Sequence, residues 1–127
     1  MAESDKASVC EPASKLIFAC SGAADVGEIS DRAARRLTEN GVGKMFCLAG
    51  IGGKVEPIVK ATKAASQILA IDGCGLDCAK KCLEQANFED FRHLRITDMG
   101  MEKGKSPASN ERVTEVADIV KDLLNNG

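Results

Sequence analysis

Short apolar runs alternate with longer amphipathic stretches along this chain, and that alternation restricts its fold more than any other feature. Residues 16–19, Leu-Ile-Phe-Ala, are apolar without interruption, as in a strand buried on both faces. From residue 25 to 40, Val26, Ile29, Ala33 and Leu37 recur at helical spacing, and Gly41 follows as a C-terminal stop. A second strand is expected at 45–48, ended by a glycine-rich turn at 50–53. Pro57 suits the first turn of a short helix running to about residue 65. A third strand at 68–71 closes on Asp72-Gly73, and Asp77 is placed to cap a helix reaching about residue 87. A more polar fourth strand is expected at 93–97, and a last helix at about 109–124 with a stripe of Val113, Val116, Ala117, Val120, Leu123 and Leu124. The order is β-α-β-α-β-α-β-α. It predicts an α/β fold with a four-stranded parallel sheet between two helical layers, flavodoxin- or Rossmann-like, in strand order 2-1-3-4.

The length of 127 residues suits one domain, and the 44% apolar content suffices for its core. Residues 1–14 are expected to form a flexible polar tail ahead of a single metal-binding domain over 15–127. The net charge of −2, with four phenylalanines as the only aromatic residues, argues against a nucleic-acid partner. No apolar run is long enough to span a membrane, and the first residues lack the apolar centre of a secretory signal. The expected location is the cytoplasm.

Six cysteines complicate this picture: Cys10, Cys20, Cys47, Cys74, Cys78 and Cys82. A reducing compartment disfavours disulfides, which leaves buried thiols, a redox centre or metal ligands. On the predicted scaffold, Cys20 follows strand 1, Cys47 lies near the end of strand 2, and Cys74 and Cys78 lie in the loop and first helical turn after strand 3. In the order 2-1-3-4 those strands are neighbours, and their C-terminal ends are where open α/β sheets bind ligands. Four converging thiolates would suit Zn²⁺ or an iron–sulfur cluster. The helix N-terminus favours negative charge at Cys78, and the Cys-x3-Cys spacing of Cys74 and Cys78 falls within that of zinc sites. Cys82 lies on the apolar stripe of the same helix and reads as a buried structural thiol, although sharing a face with Cys78 leaves open a role as a ligand or as a thiol behind the ligands. Cys10 reads as a free thiol in the tail.

Other motifs fail on inspection. The loop from Cys20 lacks the arginine of a phosphate clamp, since Val26 stands in its place. Gly50 to Lys54 departs from nucleotide-loop spacing, and Val55 replaces the hydroxyl residue that would hold Mg²⁺. The single histidine, His93, opens strand 4 and is expected at the sheet edge opposite the cysteines as a surface or packing residue. Asp72 and Asp98 end strands 3 and 4 on the ligand-binding edge, where they could orient ligands or handle protons, although turn-forming Asp also suits both positions. Lys103 reads as a solvated loop lysine.

The segment Ile71-Asp72-Gly73-Cys74-Gly75-Leu76-Asp77-Cys78-Ala79 resembles the DGC-domain family, proteins described as zinc-binding. The likeness extends to Cys20-Ser21-Gly22-Ala23-Ala24-Asp25-Val26-Gly27, to residues 31–37, to Cys47-Leu48-Ala49-Gly50-Ile51-Gly52 and, weakly, to residues 97–100. It implies a zinc site formed by Cys20, Cys47, Cys74 and Cys78. Gly75 stands where proline is expected in many members, and Cys82 matches no ligand of the family. The reading is a zinc-binding protein with a metal-handling, sensing or binding role, its partner a metal ion. A closed four-thiolate shell has no open position for water and argues against zinc hydrolysis. The alternatives are a thiol redox enzyme, with Cys78 attacking and Cys74 resolving, and an iron–sulfur protein.

Overall fold

The unbroken apolar run at the start of the domain forms a central strand, as the sequence predicts. A computed structural model describes residues 14–125, so residues 1–13 of the expected tail, Cys10 among them, lie outside the described residues. Strand β1 is Lys15–Ala19, and helix α1 is Asp25–Glu39. The two-residue β2, Lys44–Met45, leads into the short helices α2, Leu48–Gly52, and α3, Glu56–Lys63. Strand β3 is Gln67–Asp72, helix α4 is Cys78–Gln85, and β4 is Arg92–Arg95. A 3-10 turn over Ile96–Met99 and a loop precede helix α5, Asn110–Asn125.

All pairings are parallel, and the sheet order is β2-β1-β3-β4. Alternate residues of the two central strands supply opposite faces of the sheet. Ile17, Ala19, Leu69 and Ile71 pack with α1 and α5, through Ile29, Ala33, Leu37, Val113, Val116 and Val120. Leu16, Phe18 and Ala70 pack on the other side with Ile51 of α2 and with Ala79 and Leu83 of α4. The α3 residues Ile58 and Val59 lie against that second cluster. The three-layer α/β arrangement and its strand order therefore match the sequence reading.

Two element boundaries differ. The second strand pairs only Lys44 and Met45 with Leu16 and Ile17, and Phe46 adds one hydrogen bond to the Ile17 carbonyl at 2.9 Å. Leu48 already belongs to a helix, and Gly50 and Gly52 lie inside it rather than in a turn. Close packing explains Gly50: a Cβ there would lie 2.7 Å from Cγ1 of Ile58. The fourth strand ends at Arg95, because the chain then tightens into the 3-10 turn and the Thr97 amide donates to the Gly73 carbonyl at 3.2 Å.

Candidate functional site

The loop from Asp72 to Cys78 joins β3 to α4 at the C-terminal edge of the sheet, and its first two residues are fixed by packing and hydrogen bonding. Asp72 is buried, and its carboxylate accepts the amides of Ala79 at 2.7 Å and Lys80 at 3.0 Å. It thus satisfies the free N–H groups of the first turn of α4. Gly73 passes so close to α1 that a Cβ would stand 2.8 Å from the backbone carbon of Val26. Its amide points to Cys20 Sγ at 3.4 Å, tying the loop to the end of β1.

Asp77 holds the N-cap position of α4 without capping it. Its backbone is left-handed, with φ 53°, and makes no side-chain cap hydrogen bond. A capping side chain needs an extended backbone to reach back over the first turn. The Asp77 carboxylate instead receives Nε of Arg95 at 2.9 Å and Nη2 at 2.6 Å. That bidentate contact holds its pKa below the ordinary carboxylate value against a desolvation cost. His93 is also misplaced by the sequence reading. In the parallel register it pairs with Ala70, near the end of β3, because β4 begins late along its neighbour. Its Nε2 lies 2.8 Å from Asp72 Oδ2 and 3.6 Å from Asp77 Oδ1. The signal for this network was the two-residue period of β4, which sets His93 and Arg95 on one face.

Asp72, Asp77 and His93 are, among the described residues, the His, Cys, Asp and Glu donors grouped within 4.8 Å of one another. Their lone pairs are largely engaged by helix amides and the Arg95 guanidinium, so the trio is read as a structural brace for the loop.

The described cysteines, Cys20, Cys47, Cys74, Cys78 and Cys82, are all free. Cys20 follows β1 and is half-buried, with Sγ 3.3 Å from Ser30 Oγ. Cys47 is exposed at the N-cap of α2, and Cys78 is exposed as the first residue of α4. Cys74 is half-buried against the α1–α5 cluster, and the Lys103 ammonium lies 3.7 Å from its sulfur. Lys103 is therefore engaged at the thiol loop.

An open cleft of about 890 Å³ is lined by Cys20, Cys47 and Cys82, with Phe46, Leu48 and Gly52. Cys74 and Cys78 do not line it. Cys78 and Cys82 line a smaller neighbouring hollow of about 340 Å³. Burial, with smaller contributions from the Cys78 and Asp72 charges, raises the Cys82 pKa. On the cleft wall, Asp31 receives Nε of Arg35 at 2.7 Å and the Ser21 hydroxyl at 2.8 Å. Burial opposes its ionisation, yet these hydrogen bonds hold its pKa below the ordinary value.

The donor chemistry suits zinc: unpaired thiols follow three adjacent parallel strands. A zinc ion with sulfur ligands at about 2.3 Å draws those sulfurs to within about 4 Å of one another. Among the described residues no three sulfurs stand within 4.8 Å of each other, so binding would have to draw the thiol-bearing segments together.

A family model described as DGC domain matches residues 16–120 of this chain. The chain is also similar to the anaerobic and virulence modulator AnvM of Pseudomonas aeruginosa. The two are 36% identical over 88 residues, which cover 69% of this chain and 67% of that protein. No solved structure is significantly similar to it. Among the described residues no helix is long and apolar enough to cross a membrane.

Proposed function

The chain belongs to the DGC-domain family, and from that premise and its thiol-rich sheet edge we propose that it binds zinc in a metal-handling, sensing or binding role. The observation that carries this reading is that unpaired Cys20, Cys47, Cys74 and Cys78 follow the C-terminal ends of three neighbouring parallel strands. Cys20, Cys47 and Cys78 are candidate ligands, with Cys74 as the fourth in the set that the family resemblance implies. Bound zinc would act as a structural tie between the loops, since a closed thiolate shell leaves no place for water. The Pseudomonas relative is named an anaerobic and virulence modulator. A thiol site whose occupancy follows metal supply or oxidation would suit a modulating role here too. The proposed setting is the cytoplasm, where thiols stay reduced.

Thiol–disulfide exchange is the second reading, favoured by the Lys103 ammonium 3.7 Å from Cys74 Sγ. The Cys78 thiolate would attack a substrate disulfide and release one thiolate. Cys74 would then attack the mixed disulfide and release the second. The protein ends with a Cys74–Cys78 disulfide, oxidised by two electrons, and the substrate is reduced by two.

Elemental analysis of protein purified anaerobically without a histidine tag separates these readings. About one zinc per chain, lost in Cys20→Ser and Cys78→Ser, is the expected result. Iron with sulfide would replace zinc binding by electron transfer. Metal-free protein with reactive thiols would overturn the zinc reading and leave the exchange reaction.

A further inference from the structure

We infer that Cys82 is a metal ligand, completing a sulfur set with Cys20, Cys47 and Cys78 in place of Cys74. This rests on the thiol–metal reading and changes one ligand of it.

Cys82 is the sulfur common to the two hollows beside α2. It lines the larger cleft with Cys20 and Cys47 and the smaller hollow with Cys78. It follows Cys78 by one helical turn, a spacing that puts both side chains on one face of α4. Gly52 also borders both hollows, and a Cβ there would lie 3.6 Å from Cys82 Sγ. The bare backbone at Gly52 therefore leaves room beside the sulfur. Ala79 and Leu83, its neighbours on α4, are fully buried, whereas Cys82 is only half-buried. A thiol serving only as core filler has no need of that opening.

Cys74 is differently placed. It lines neither hollow and packs against the α1–α5 side of the sheet, while Cys82 packs against the opposite cluster and Cys20 borders both, packing with that cluster while its sulfur meets Ser30 of α1. Its sulfur lies 3.7 Å from the Lys103 ammonium, a contact that none of the other described cysteines makes with a lysine. Bringing Cys74 to Cys47 means breaking that contact and turning the sulfur away from its core cluster. Drawing Cys78 and Cys82 together with Cys20 and Cys47 keeps each sulfur in or beside the hollows it already lines.

Cobalt(II) titration of the reduced full-length chain tests the assignment, because thiolate-to-cobalt charge-transfer intensity grows with the number of sulfur ligands. Cys82→Ser and Cys82→Ala should each lose intensity and weaken cobalt binding by more than about 100-fold, the upper end of what losing an outer-shell partner costs. The alanine variant keeps an apolar helix face, so a loss seen in both belongs to the sulfur. Cys74→Ser should keep the full band, and in zinc-loaded protein Cys74 should be alkylated while Cys82 is protected. A full band in both Cys82 variants, with loss in Cys74→Ser, would overturn the assignment and leave zinc binding intact. A wild-type chain that gives no thiolate band would overturn both.

Discussion

The carboxylate of Asp72 serves the helix that follows the loop, not the turn it stands in. With Ala79 and Lys80 donating to it and His93 beside it, its removal would strand two helix amides and an imidazole in a part-buried setting. Asp72→Ala should therefore lower stability by about 2 kcal/mol, read as a lower denaturant midpoint with unchanged slope. An unchanged midpoint would mean that water replaces the carboxylate at no cost. Gly73→Ala should cost about 1–3 kcal/mol by the same measurement, because its Cβ would meet the Val26 backbone at 2.8 Å. The residues of this motif were legible as a string, but their roles were not. Asp77 looked like the cap from its position, yet its left-handed backbone turns the carboxylate to Arg95, and Asp72 caps from further upstream. Local spacing cannot reveal a cap delivered across a loop.

At the scale of elements, the loop before α5 is fastened to the first residue of α1. Asp25 accepts the amides of Gly104 at 2.9 Å and Ser106 at 3.0 Å, and the same loop carries Lys103 to Cys74. The Gly104 hydrogen bond is the main cause that holds the Asp25 pKa below its ordinary value of 3.8. A carboxylate with a depressed folded-state pKa stabilises the fold above its unfolded-state pKa and loses that contribution as pH falls through the folded value. The Gly104 and Ser106 amide resonances should thus stay constant from neutral pH down to about pH 4 and titrate below it. In Asp25→Asn that step should vanish. A wild-type step above pH 4 would show that the loop is not held by this carboxylate. None of this was visible in the sequence, where Asp25 and Gly104 are far apart and Lys103 read as a solvated side chain. The extent of β2 was also hidden. Apolar residues at 45–48 suit a strand, but Cys47 and Leu48 turn into α2 once pairing with β1 stops.

For the whole molecule, the strand order was readable because β1 and β3 are apolar on both faces, and only a covered parallel sheet buries both. The same order places Cys20, Cys47 and Cys74 just after the C-terminal ends of three neighbouring strands, although no three sulfurs meet among the described residues. It does not say which side of the sheet each sulfur takes, since that depends on packing against two separate clusters. Those clusters also determine what metal removal should do. Each face of the sheet has its own apolar layer, so the chain does not depend on metal for a core, unlike small zinc-folded modules. Zinc bound only by the folded state adds stability by mass action, about 2.7 kcal/mol when free zinc is 100-fold above its Kd. For a domain of this size that corresponds to a melting temperature raised by about 10 °C. Chelation should reverse the shift while the far-ultraviolet circular dichroism stays that of an α/β fold. Collapse of that spectrum on chelation would place the metal within the folding core. An unchanged melting temperature across zinc concentrations would remove zinc from the folded-state ligands altogether.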